Sequence, residues 1–346
     1  MANVLQAIRN SRPFRLLRRH LSSILKIGVT VAGLALVLRS IPLAQIRDEL
    51  VIVNWFWLVL ALLMIIFSLV LRAFRWGILL KGLKTTVRFG RLVELYFVGN
   101  FYNAFLPSGF GGDAVRILEV ARDVPTNVAA GTVLVDRLTG LLALFLMALI
   151  AMPFRPENFP DSLALLVSGV CAAGLVGGLV LFQGSLIQRL GGWLPGPLSP
   201  VGDGPVARLL QAVVGCGWPA ILRAFAISIL FNLLLVAWWA VAGLALGYQG
   251  VPYTYYLLVV PILSVALLVP SIGGLGVREL LAGPLFEAAG LATAQAVALS
   301  LLVWLLMRVV SLVGAPVYIL TTLRGNRAAS PKTGADIPPG QQPAED

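Results

Sequence analysis

Six stretches of this chain, 21–39, 51–71, 127–152, 161–183, 219–247 and 291–323, are apolar over the roughly 20 residues that a helix needs to cross a bilayer. Nothing constrains the fold more. With 59% of its residues hydrophobic and 12% charged, the chain could not cover itself with a soluble surface, so its solvent is lipid. The reading is an all-α polytopic membrane protein. Residues 21–39 follow a basic arm and run into Arg39 rather than a small-residue cleavage site, which reads as an anchor and not a cleaved signal.

Two further apolar stretches, 91–106 and 253–269, end on one phrase used twice. LPSGFGGDAVR at 106–116 returns as VPSIGGLGVR at 269–278, with one residue deleted. Pro107, Gly109, Gly111 and Gly112 in one copy, and Pro270, Gly273, Gly274 and Gly276 in the other, break helices. Shorter helix-like stretches follow, at 113–122 and 277–289. Interrupted segments in corresponding positions of two halves point to a transport site. The expectation is about six spanning helices plus two re-entrant hairpins, 91–122 and 253–289. Irregular backbone at membrane depth has to be buried in protein or line a wet cavity, so the hairpins imply a polar interior. The alternative is eight spanning helices, two of them kinked at proline.

The net charge of +11 would suggest nucleic acid if the cations were not placed as they are. With both hairpins re-entrant, eighteen Lys and Arg fall on one side and four (Arg39, Arg47, Arg155 and Arg278) on the other, which marks the richer side as cytoplasmic. Both termini then lie inside, the hairpins enter from opposite sides, and the repeat is inverted. The chain divides into a basic cytoplasmic arm 1–20, a first membrane half 21–183, a Gly/Pro-rich cytoplasmic loop 184–218 with room for an interfacial helix, a second half 219–323, and a disordered cytoplasmic tail 324–346.

Charges inside the spans are the next signal. Asp136 and Arg137 stand about nine residues into their span, roughly 13 Å from its end, and Arg308 is near the middle of the last one. Centring an arginine in a membrane costs on the order of 3 kcal/mol even on lenient scales, so such residues need anionic partners. Asp136 and Arg137 point about 100° apart on their helix and so reach different elements. One reading is structural, with Asp136 paired to Arg308 and Glu279 to Arg137. The other is a pathway in which an anionic substrate group supplies the missing charge. Gly109, Gly111 and Gly112, before Asp113 and Arg116, and Gly273, Gly274 and Gly276, before Arg278 and Glu279, would offer open backbone amides at helix starts, where phosphate binds. Arg72, Arg75 and Trp76, at the end of the 51–71 span, read as headgroup-interface contacts. One histidine, His20, and two distant cysteines, Cys171 and Cys216, make no metal motif, and no cofactor is expected.

Arg72 to Trp76, GNFYNAFLPSGFGGDAVR ending at Arg116, VDRLTG at 135–140, PSIGGLGVRE ending at Glu279, and Arg308 together resemble the lysylphosphatidylglycerol synthase transmembrane-region family, also called flippase-like. The resemblance covers nearly everything from residue 21 to 323. It implies a protein of the bacterial inner membrane that moves a lipid between leaflets, such as an aminoacylated phosphatidylglycerol, a polyprenyl-phosphate-linked sugar or a hopanoid-type lipid. Synthases of the family carry a large soluble aminoacyl-transfer domain after the membrane part, so the expectation here is a transporter of a phosphate-containing lipid headgroup and not an enzyme. Its partners are then membrane lipids and a separate lipid-synthesis enzyme, without nucleic acid. The rival classes are a non-catalytic membrane scaffold and an intramembrane lipid-linked transferase.

Overall fold

The computed structural model describes residues 28, 30–39, 41–51, 53–105, 111–155, 159–184, 202, 204–265, 271 and 274–328. The basic arm, Pro107, Gly109, Pro270, Gly273, residues 185–201 of the expected loop and the tail beyond 328 lie outside them. The described elements are helical: α1 Thr30–Arg39, α2 Leu43–Val51, α3 Trp55–Gly82, α4 Phe89–Phe105, α5 Gly111–Val120, α6 Thr126–Ala151, α7 Asp161–Gln183, α8 Pro205–Gly215, α9 Trp218–Ala245, α10 Tyr253–Val265, α11 Val277–Glu287, α12 Thr293–Leu312 and α13 Gly314–Ala328. Five helices are long and apolar enough to cross a membrane, or six if the bent pair α1 and α2 forms one span. The chain is a multi-pass membrane protein.

The centre is an antiparallel pair, α3 and α9. Each has 28 residues, about 42 Å of helix, and they touch along their whole length. At one end the Asn54 amide donates to the Ala245 carbonyl at 2.8 Å; at the other, a Cβ on Gly82 would lie 2.5 Å from the Cys216 carbonyl oxygen. On α3 the buried residues Ala61, Ile65, Leu69, Ala73, Trp76 and Leu80 face this core, while Val59, Leu63, Phe67 and Phe74 stay exposed. Two apolar faces on one helix are what a lipid solvent permits. The first turn of α3 is closed by the Asn54 side chain, which accepts from the Phe56 amide at 3.0 Å. Asn54→Ala is expected to cost about 1 kcal/mol, read as a lower unfolding midpoint in detergent.

The chain doubles back at both copies of the repeated phrase. Helices α4 and α5 are antiparallel: the Gly112 amide donates to Asn103 Oδ1 at 2.8 Å at one end, and Arg91 pairs with Glu119 at 3.0 Å toward the other. They come so close that a Cβ on Gly112 would stand 1.9 Å from the Gly99 carbonyl oxygen, which only glycine permits. Helices α10 and α11 are likewise antiparallel, with the Tyr255 hydroxyl donating to the Leu285 carbonyl and the Tyr255 and Tyr256 rings against Phe286. These four helices have 17, 10, 13 and 11 residues, each short of the roughly 20 of a full span.

Several boundaries differ from expectation. The first apolar stretch does not feed straight into the second: α1 ends at Arg39 and α2 leaves at 91°, because Pro42 lacks an amide hydrogen and disfavours helix before it. The 51–71 span runs on to Gly82, so Arg72, Arg75 and Trp76 sit inside a helix and not beyond its end. Residues 205–215 of the expected loop form α8, which packs on α6 so tightly that a Cβ on Gly131 would lie 2.5 Å from the Ala212 Cβ. Helix α1 crosses the second phrase. A Cβ on Gly33 would lie 2.7 Å from the Gly276 carbonyl carbon, and Gly276 has φ +87°.

Candidate functional site

Buried charge gathers where α3, α4, α5 and α6 meet. Asp136, on α6 and 1% exposed, is the hub. Its Oδ1 accepts from Arg75 Nε at 2.7 Å, and its Oδ2 accepts from Arg116 at 3.2 Å and from the Tyr96 hydroxyl. Arg75 also donates to Ser228 Oγ of α9 at 2.8 Å, and Gly140 leaves room for it, since a Cβ there would lie 3.0 Å from the guanidinium. Arg116 lies 4.3 Å from the Trp76 ring centroid and 3.8 Å from that of Tyr96, and pairs at 3.4 Å with Asp113 one turn earlier. Asp113 pairs in turn with Arg137. Arg72, half-buried, stands over the Tyr96 and Phe231 rings at 5.2 and 5.3 Å, and among the described residues no carboxylate pairs with it. Arg72, Arg75, Arg116 and Arg137 thus face two carboxylates, Asp113 and Asp136, and the set keeps an excess of two positive charges.

A second, smaller set closes on itself. Arg278 Nε donates to Ser300 Oγ at 2.9 Å, and its terminal nitrogen reaches Glu279 at 3.2 Å and the Ser300 carbonyl. The Ser300 hydroxyl donates to Glu279 Oε1 at 2.9 Å, and Glu279 Oε2 accepts from the Gly276 amide at 2.7 Å. The guanidinium also lies 5.3 Å from the Trp239 ring.

Arg308, on α12, joins the two regions. Its terminal nitrogen donates at 2.6 Å to the Ala104 carbonyl, at the end of α4 just before the first phrase. It lies 5.0 Å from Trp304, and its helix also carries Ser300, the partner of Arg278. Its Nε is buried without a hydrogen-bond partner, and no carboxylate pairs with it among the described residues.

The structure therefore groups Arg116, Asp113, Asp136 and Arg137, groups Arg278 with Glu279, and sets Arg308 between. The pairings differ from those that the structural reading named. Asp136 takes Arg75 and Arg116, not Arg308, and Glu279 takes its neighbour Arg278, not Arg137. Arg75 and Trp76 are buried, at 2% and 0% exposed, and so are not headgroup contacts. The glycine amides are not open at two positions: Gly112 donates to Asn103 and Gly276 to Glu279, while the Gly274 carbonyl accepts from the Arg278 amide. Gly111 lies buried in the first turn of α5. Tyr96, Asn103, Ser228 and Ser300 were not anticipated. Ser228 and Ser300 carry the faint signal of a polar side chain inside an apolar span. Among the described residues no three His, Cys, Asp or Glu side chains group as metal ligands.

Long apolar helices around a polar, arginine-rich interior define an all-helical, multi-pass membrane protein. Residues 23–314 match the family described as the lysylphosphatidylglycerol synthase TM region, and the chain belongs to that family. A UPF0104 membrane protein of Pyrococcus horikoshii is 26% identical over 161 residues, 43% of this chain and 45% of that relative. The chain thus spans less than half the length of the relative it matches. Family membership supports a lipid-related role in the membrane.

Proposed function

We propose that the protein moves a phosphate-bearing lipid headgroup between leaflets of a bacterial inner membrane, without chemistry of its own. In this reading α4–α5 and α10–α11 are re-entrant hairpins of an inverted repeat, entering from opposite leaflets, with both termini in the cytoplasm. The observation that carries it is Arg308: a guanidinium that reaches the Ala104 carbonyl just before the first phrase, on the helix whose Ser300 holds Arg278 of the second, with that carbonyl its one hydrogen-bond acceptor among the described residues and a buried Nε left over. An anionic phosphate satisfies that nitrogen and neutralises the guanidinium. Arg137 and Arg116 extend the cationic lining, and Asp113 holds them in the empty state. A headgroup would compete for these arginines, giving a two-state element that binding shifts.

The test is flux in proteoliposomes of purified protein, with a fluorescent phospholipid whose outer-leaflet fraction is bleached by dithionite. A charge-assisted hydrogen bond is worth about 1.5–3 kcal/mol, so Arg308→Ala is expected to slow flux about 10- to 100-fold, with Arg308→Lys between. Unchanged flux in the folded alanine variant removes the proposal. The closure of Asp136 by three donors favours a second reading, a rigid scaffold beside a lipid-synthesis enzyme. Flux no faster than in protein-free vesicles would select it.

A further inference from the structure

Away from the buried arginines, two cavities meet at the turn between α3 and α4. One is an apolar groove of about 340 Å³, lined by Phe74, Ile78, Val87, Phe89 and Leu92, with Lys81 beside them. Gly77 forms its floor, and a Cβ there would meet Leu92 Cδ1 at 3.2 Å. The other is an open polar basin of about 710 Å³, lined by Thr86, Arg88, Arg91, Glu94 and Asp123. Val87 lines both, and Phe89, in the groove wall, stands between Arg88 and Gly90 of the basin. An apolar chute opening beside a polar basin has the shape of an amphiphile.

The charges specify its head. Lys81 and Arg88 are exposed, and among the described residues neither has a carboxylate within ion-pair distance. Around Arg91 the excess is acidic. Arg91 alone is shared by Glu119 at 3.0 Å, Glu94 at 3.7 Å and Asp123 at 3.9 Å, and Glu119 has a second partner in Arg122 at 3.2 Å. Glu94 and Asp123 are therefore left under-neutralised beside a cationic rim. We infer that this is a binding site for an amine-bearing phospholipid such as phosphatidylethanolamine, separate from the Arg308 region. One acyl chain lies in the Phe74–Phe89 groove, the phosphodiester against Lys81 and Arg88, and the ammonium between Glu94 and Asp123. Charge complementarity chooses this occupant over a purely anionic lipid, which would set its head against two carboxylates. A trimethylated head has no N–H to donate to them.

Native mass spectrometry of the purified full chain, exchanged into detergent with equal amounts of phosphatidylethanolamine, phosphatidylcholine and phosphatidylglycerol, reads the site directly. Phosphatidylethanolamine adducts are expected to exceed each of the other two about tenfold, the equivalent of one lost charge-assisted hydrogen bond. The preference is expected to vanish in Glu94→Gln/Asp123→Asn, phosphatidylethanolamine adducts to fall about tenfold in Lys81→Gln/Arg88→Gln, and Val87→Trp to remove the excess of phosphatidylethanolamine over the other two lipids. These residues lie at or near the surface, and a melting curve for each variant confirms that it is folded. Equal retention of the three lipids by wild type, or a preference that survives both double variants, overturns the site. Arg308→Ala is expected to keep the phosphatidylethanolamine preference and lose flux, whereas Glu94→Gln/Asp123→Asn is expected to lose the preference and keep flux, so loss of flux and loss of this site are told apart.

Discussion

Asp136→Ala is expected to destabilise the protein by about 3–5 kcal/mol, the usual cost of leaving a buried charge without its partner. Two guanidiniums, Arg75 and Arg116, lose their shared carboxylate at once, and the Tyr96 hydroxyl loses its acceptor. Neither arginine can swing out to water: each is 2% exposed, Arg75 tied to Ser228 and Arg116 stacked on Trp76 and Tyr96. Asp136→Asn keeps the shape but not the charge, and should recover only a small part. The measurement is the midpoint of thermal unfolding in detergent, with a drop on the order of 5 °C or more. A fall of under a degree in Asp136→Ala would mean that water, not Asp136, solvates these arginines. Combining Asp136→Leu with Arg75→Met and Arg116→Met should restore much of the stability, because a packed apolar cluster can replace a buried ion network.

The second large effect is steric. Gly112→Ala drives a methyl to within 1.9 Å of the Gly99 carbonyl oxygen, and the obstacle is backbone, which cannot rotate aside. The α4–α5 pair would have to splay, breaking the Asn103 cap on the Gly112 amide. Overpacking costs about 1–3 kcal/mol and more where backbone must move, so the expected result is loss at or above the top of that range. The contrast lies in α7, where a Cβ on Gly169 meets nothing within 4 Å. Gly169→Ala should leave stability unchanged or raise it by up to about 1 kcal/mol, through helix propensity alone. Equal midpoints for the two variants would show that the close approach of α4 and α5 is not a constraint.

The spans and the two doublings of the chain were legible in the sequence because they rest on local quantities: apolar length, and proline and glycine grouped inside it. The ion pairs were not. Asp136 and Arg137 were expected to reach different elements, but both meet α5, Asp136 through Arg116 and Arg137 through Asp113, and Asp136 also reaches α3 and α4. Which elements they reach depends on packing among helices 20 to 60 residues away along the chain. Arg75 was misread for the same reason. An arginine next to a tryptophan at the end of an apolar run looks like a residue reaching for headgroups. Only Asp136, 61 residues on, lets the helix carry it inward. Ser228 and Ser300 were hidden by being small: a serine in an apolar run is ordinary until an arginine points at it. The glycine amides show the reverse error. Breaker loops leave amides free only if no nearby side chain takes them, and Asn103 and Glu279 do.

The crossing of α1 over Gly276 bears on how the molecule assembles. Gly33 and Gly276 are separated by more than two hundred residues, yet their backbones touch without intervening side chains. Such distant closure is slow to form and depends on everything between, so the amino-terminal helix has to wait at the bilayer for a late-made turn before it can lock. Once seated, it acts as a strap across the start of α11, and any motion of that element either carries α1 along or slides it glycine over glycine.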